Sequence, residues 1–303
     1  MRYRPFGASG KAVSAVSLLL RDAPNMGAAS AWRSLIIGAM ENGINSFEVL
    51  AGSEVMALGV GEALSAVERR LIFLGWRLRG SPVGAITARD VADSVRSALQ
   101  KTRAGYLDLL MMDETAVEIL TPDAHSYLAE LRNSGVCLQI GVAGEGPAVE
   151  RCIASPVFDV LATSFSLVSD WQTRRRIRDA SAANMTLIGC DPFPTGLHAA
   201  SPVRTETTER PMRRGLLGGR RPDPLTSSVS AYAFLQDTPG WTHEELCLAY
   251  ALTEPAFASI QLEAGRADVI ERMSAVTDRD LPTGVAAQIE MARFGQIAAQ
   301  RRA

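Results

Sequence analysis

Only two of the 31 basic residues are lysine, Lys11 and Lys101; the other 29 are arginine. Few amines are therefore available for chemistry. Histidine is scarce too, at His125, His198 and His243. The four cysteines, Cys137, Cys152, Cys190 and Cys247, lack metal or redox spacing. That predicts a reduced, cytoplasmic protein with no metal site. No charge dominates: 31 basic against 33 acidic residues leave −2, without the basic footprint of a nucleic-acid binder. No run approaches the roughly 18 apolar residues of a membrane span. An apolar content of 47% with balanced charge excludes a disordered chain. At the start, Arg2 and Arg4 precede the apolar stretch 12–20 in the manner of a signal peptide. Arg21-Asp22 follow at once without a small-residue cleavage site, so the stretch is expected to be a strand.

What is present is alternation. The length of 303 residues allows two domains of about 150 residues, or one α/β barrel of about 250. Apolar, β-rich runs fall at Val16–Leu20, Ser46–Leu50, Leu71–Trp76, Leu107–Met112, Leu138–Val142, Val160–Thr163, Thr186–Cys190 and Ser259–Leu262. Helical patterns follow each: Ala29–Asn42, a segment ending at Leu64, one from Thr87 to Thr102, Asp123–Asn133, Ala148–Ala154, Trp171–Ala183, Thr242–Leu252 and Ala267–Val276. Gly43 stands as a helix C-cap, and Thr87 with Asp90 resembles a capping box. Eight strand–helix units predict one closed (β/α)₈ TIM barrel domain over 1–303, with an extra C-terminal helix in 284–303. Residues 198–241 form a long insertion after the seventh strand, at the C-terminal mouth, carrying Arg204, Arg210, Arg213, Arg214, Arg220 and Arg221. It reads as a solvated loop, a lid over an anion, or a docking surface.

Several motifs, in order, resemble one family. Tyr3–Gly7 and Gly10–Ser14 resemble the opening hairpin of aldo-keto reductases. Gly43-Ile44-Asn45-Ser46-Phe47 resembles the family's entry to strand two, and Gly61-Glu62-Ala63-Leu64 its G-x-A-L helix end. Tyr106-Leu107-Asp108-Leu109 resembles Y-I-D-L, and Ile140-Gly141-Val142 resembles I-G-V. Asp191–Leu197 resembles the S-P-L-x-x-G-L turn after strand seven. The resemblance covers nearly the whole chain.

It implies a hydride-transfer tetrad of aspartate, tyrosine, lysine and histidine. A phenol with a pKa of about 10 needs a neighbouring cation to serve as an acid near neutrality. The stretch Phe47–Leu64 matches the family pattern in length. It puts Glu48 at the aspartate position and Ser53 at the tyrosine position, or Ala51 if the following glycine is Gly52. The lysine falls on Trp76 and the histidine on Asp113. With Trp76 facing the mouth, alternation would turn Arg77 to the other face. No catalytic residue of the tetrad is then retained, and a lost general acid costs about 10²–10⁴-fold in rate.

The implied cofactor, NADH or NADPH, would rest on Phe165, Asp191, Gly196, Leu197 and Arg266. Elsewhere the cofactor pattern is altered. The glycine turn after strand one reads Ser17-Leu18-Leu19-Leu20, the pair after strand five reads Ala143-Gly144, and the strand-six glutamine reads Ala162.

These readings predict a catalytically inactive homologue that acts as a regulatory or scaffold protein. It would have a protein partner, docked on the arginine-rich loop or the C-terminal helix, and would sense NAD(P)H. It resembles oxidoreductase-like cell-division regulators of the KidO type, as potassium-channel β-subunits also resemble reductases. The alternative is an active NAD(P)-dependent oxidoreductase using Glu48, Asp113, Trp76 and His198. A third reading is a structural barrel sealed by Leu19, Leu20 and Trp76. Glu48 and Asp113 would otherwise face each other as solvated carboxylates.

Overall fold

A computed structural model describes residues 1–81, 84–194 and 232–300. Eight parallel strands close into a barrel: β3 (Val16–Leu20), β4 (Ser46–Leu50), β5 (Phe73–Leu78), β6 (Leu109–Asp113), β7 (Ile140–Ala143), β8 (Val160–Ser164), β9 (Thr186–Cys190) and β10 (Phe257–Ala264). β10 pairs with both β9 and β3, which completes the ring. The helices are α1 (Ala29–Glu41), α2 (Glu54–Leu64), α3 (Ala88–Thr102), α4 (Glu114–Glu118), α5 (Pro122–Asn133), α6 (Pro147–Ile153), α7 (Trp171–Ala182), α8 (His243–Leu252), α9 (Ala267–Val276) and α10 (Val285–Gln300). The fold is the expected (β/α)₈ barrel. None of the described helices is long and apolar enough to cross a membrane.

A short hairpin, β1 (Tyr3–Pro5) with β2 (Ala12–Ser14), closes the N-terminal end. Phe6 and Val13 pack with Phe73, Leu109, Met111, Val160 and Ile188 in the barrel interior. The Phe6 and Phe73 rings stand 4.3 Å apart. Charge fastens the hairpin below. Lys11 pairs with the buried Asp108 and donates to Tyr106 Oη at 3.1 Å. Arg69 reaches the other Asp108 oxygen at 2.7 Å. The Tyr106–Leu109 motif is thus a structural clamp at the closed end. A second, larger core lies between strands and helices and includes Leu18, Phe47, Val49, Leu74, Trp76 and Met112.

Some boundaries move. The third, fourth and fifth strands begin two residues later than expected, at Phe73, Leu109 and Ile140. Leu71 belongs to a 3₁₀ turn and is 59% exposed, while Leu107 makes only an isolated bridge to Cys137. Each apolar run starts below the hydrogen-bonded ladder. The end of the expected long loop is not loop-like: Tyr232 and Leu235 are fully buried around a 3₁₀ turn, Ala233–Asp237. His198 and the six loop arginines from Arg204 to Arg221 lie outside the described residues.

Candidate functional site

Alternation along the strands decides what reaches the mouth. On β4, Phe47 and Val49 face the helices, so Glu48 and Leu50 face inward. On β5, Leu74, Trp76 and Leu78 pack against the helices. Trp76 Nε1 donates to Ser94 Oγ on α3 at 3.0 Å. Gly75 and Arg77 therefore face inward. This corrects the expected parity: Trp76 neither lines nor plugs the mouth, and Arg77 supplies its cation. A Cβ on Gly75 would come within 3.0 Å of Glu48 Cγ, so the glycine leaves room for the glutamate.

Glu48, Arg77 and Gln261 form a closed triangle at the base of the mouth. One Glu48 oxygen accepts from Arg77 Nε, and the other accepts from Gln261 Nε2 at 2.7 Å. Arg77 Nη2 donates to Gln261 Oε1 at 2.9 Å. Glu48 is only 4% exposed, so it is not the solvated carboxylate expected. Burial alone would pull the Arg77 pKa down. The Glu48 charge and hydrogen bond outweigh that, and the net shift is upward. Cys190 Sγ lies 3.7 Å from Gln261 Oε1. Burial pushes its thiol up to about 12 against the pull of Arg77, so it stays protonated near neutrality.

Above the triangle opens a cavity of about 550 Å³. Leu19, Leu50, Pro192, Phe193 and Leu262 supply apolar wall, and Arg21, Arg77, Arg79, Asp113, Asp191 and Glu263 the charged wall. Leu20 faces the outer core while Leu19 lines the cavity, so the expected seal of Leu19, Leu20 and Trp76 does not form.

The remaining predicted residues divide. Asp113 reaches the cavity, but its Oδ1 accepts from Gly80 N at 2.9 Å and Ala116 N at 2.7 Å, which caps α4. Ser53 caps α2, accepting from Met56 N at 3.4 Å, and is not part of the cavity wall. Asp191 lines the cavity in a left-handed conformation (φ 49°) and accepts from Ser164 Oγ at 2.9 Å. Phe165 is corrected: it is buried outside the cavity, stacked on Tyr250 at 6.1 Å and against Phe257 at 5.1 Å. Its faces are occupied. Arg266 is exposed at the start of α9, with Nε and Nη2 both on Asp268. Gly196 and Leu197 lie outside the described residues. Of the described residues expected to hold a nicotinamide nucleotide, only Asp191 lines this cavity.

All five tyrosines and both lysines are described, and none lines the cavity. Tyr3 sits on the hairpin, bonded to Gly43 O, and Tyr106 stands with Lys11 at the closed end. Tyr250 bonds Arg174 and Glu290 outside the barrel. Lys101 pairs with Glu54. Among the described residues no three His, Cys, Asp or Glu side chains are grouped to hold a metal. The sequence turns Arg77 away from the mouth and singles out neither Arg79 nor Gln261. A polar residue at an inward position of an otherwise apolar strand was the available signal.

The barrel, its N-terminal hairpin and a mouth built from strand ends define a class. Residues 40–293 match the model of the Aldo/keto reductase family, and the chain belongs to that family. Among solved structures it is similar to the aldo-keto reductase AKR11C1 from Bacillus halodurans. The holo form matches with a TM-score of 0.73 and the apo form with 0.70, each at 17% identity over 96% of both chains. At that identity the likeness is one of fold. No curated protein matches.

Proposed function

We propose that this aldo-keto reductase family protein does not catalyse the family's hydride transfer and acts instead by binding, as a regulatory or scaffold protein. The observation that carries the reading is the cation at the base of the mouth. Arg77 is held by Glu48 and Gln261, with no tyrosine beside it to activate. A guanidinium keeps its proton, so it cannot replace the missing acid. The resemblance to KidO-type regulators extends the proposal to control of bacterial cell division or cell fate through a protein partner. NADH or NADPH belongs to the reading as the ligand the family resemblance names, and Asp191, which lines the cavity, is the described residue we assign to it.

The test is steady-state reduction of simple aldehydes with NADH and NADPH, beside calorimetric titration with each nucleotide. No turnover above the uncatalysed rate is expected. Saturable binding without turnover would make the protein a nucleotide sensor, and absence of binding a scaffold. Turnover would overturn the proposal and favour an oxidoreductase with atypical residues. Asp113→Asn would then be the first variant, because Asp113 is the one carboxylate of the expected set exposed to the cavity.

A further inference from the structure

A polar cavity of about 440 Å³ lies at the closed end of the barrel, away from the mouth. Strands β7, β8 and β9 begin there, beside Gln139, Asp159 and Thr186, and helices α6 and α7 end there. Gln139 stands in the wall, only 9% exposed, and its Oε1 is buried with no hydrogen-bond partner. A buried amide oxygen without a donor is a cost that an arriving donor would remove. Asp159 is the one charged side chain of the wall. Its Oδ1 accepts from Arg132 at 2.8 Å and its Oδ2 from Ile140 N at 3.0 Å, so Arg132, behind the wall, balances its charge.

The backbone sets the remaining polarity. Ala154 and Ala183, the C-caps of α6 and α7, both line the cavity, so the negative ends of two helix dipoles meet there. The last turn of α7 holds no basic residue, and Arg151 in the last turn of α6 is not part of the wall. Among the described residues no lysine, arginine or histidine lines the cavity. Ser155, Asn184 and Thr186 are neutral, and each can accept a hydrogen bond. The wall thus offers acceptors and partial negative charge without a cation of its own. Ile153, Pro156, Phe158 and Met185 give it an apolar side, and its volume is of small-molecule size.

We propose that this closed-end cavity binds a small amphipathic primary amine. An ammonium brings three donors and a positive charge, which match Gln139 Oε1 and the helix C-terminal carbonyls. The apolar body lies against Ile153, Pro156, Phe158 and Met185. The site is separate from the mouth and does not depend on what the mouth does.

The experiment titrates the full chain by calorimetry with three compounds of one apolar body: phenethylamine, 2-phenylethanol and hydrocinnamate. The amine, protonated at pH 7, is expected to saturate in the millimolar range. The alcohol should bind about fivefold more weakly and the acid more weakly still. Gln139→Met should weaken the amine by about fivefold and leave the thermal midpoint of the free chain unchanged, because Oε1 has no bond to lose. Ala183→Trp, at an exposed cap, should abolish amine binding by filling the cavity without touching the core. Asp191→Asn, at the mouth, should leave it unchanged. No saturation by the amine, an alcohol or acid that binds as tightly, undiminished binding in Gln139→Met or Ala183→Trp, or weakened binding in Asp191→Asn would each overturn the proposal.

Discussion

At the base of the mouth, Glu48 and Arg77 hold each other out of water, with side chains 4% and 12% exposed. Removing one partner leaves the other buried and charged, which costs about 3–5 kcal/mol. Glu48→Ala should therefore lower the unfolding free energy by about 3 kcal/mol in urea melts, whereas Glu48→Leu with Arg77→Met should recover most of the loss. Equal losses in the single and double variants would mean the pair contributes packing rather than charge compensation. At this scale the sequence reading was half right. It brought Glu48 and Asp113 to strand ends, but it put Trp76 inside and Arg77 outside. Side chains alternate with period two, so a one-residue error on β5 exchanges the two faces completely. The side-chain volume of Trp76 carried no information about its face. That was decided by its bond to Ser94 and the apolar neighbours behind the strand.

Among elements, α2 is confined on two sides. Gly59 faces α1, where a Cβ would meet Ala29 O and Trp32 Cβ at 2.5 Å. Gly61 faces α3, where a Cβ would meet Lys101 O at 2.5 Å. Both obstacles include backbone, which cannot rotate away. Gly61→Ala should gain up to about 1 kcal/mol of helix propensity and lose about 1–3 kcal/mol to overpacking. A net fall in thermal midpoint is expected, and a rise would show that α2 and α3 can separate without cost. The Gly61–Leu64 motif is thus explained by helix contact, a fact its spelling did not reveal. Other elements were legible outright. Thr87 and Asp90 form the capping box that starts α3, and β3, β4, β9 and α9 keep their expected bounds. Strands β5, β6 and β7 slid because the ladder, a pairing between distant segments, sets where a strand begins.

For the molecule as a whole, buried acids are expected to lower stability at alkaline pH. Burial pushes Cys137, Cys190 and Cys247 up to about 12 and Cys152 up to about 11, and raises Tyr232 to about 12. The folded chain keeps the thiol protons above the ordinary thiol value of 9.0, where the unfolded chain releases them. Unfolding then becomes easier as pH rises from about 9 towards 11–12, by up to about 1.4 kcal/mol per pH unit for each thiol. The urea midpoint should be lower at about pH 10 than at about pH 8, and Cys247→Ala should reduce the difference. An unchanged midpoint would mean the thiols ionise freely in the folded state.

By itself the sequence determined the class of fold. Eight apolar runs alternating with helical patterns have few solutions other than a closed barrel, because each strand must bury both faces and each helix one. It also determined that no tyrosine or lysine follows the second strand closely, since that depends only on order along the chain. The tertiary structure alone decided which side chains share the mouth. Arg77 meets Glu48 across 29 positions and Gln261 across 184. Such meetings follow from barrel closure and strand parity, which no local stretch of sequence encodes.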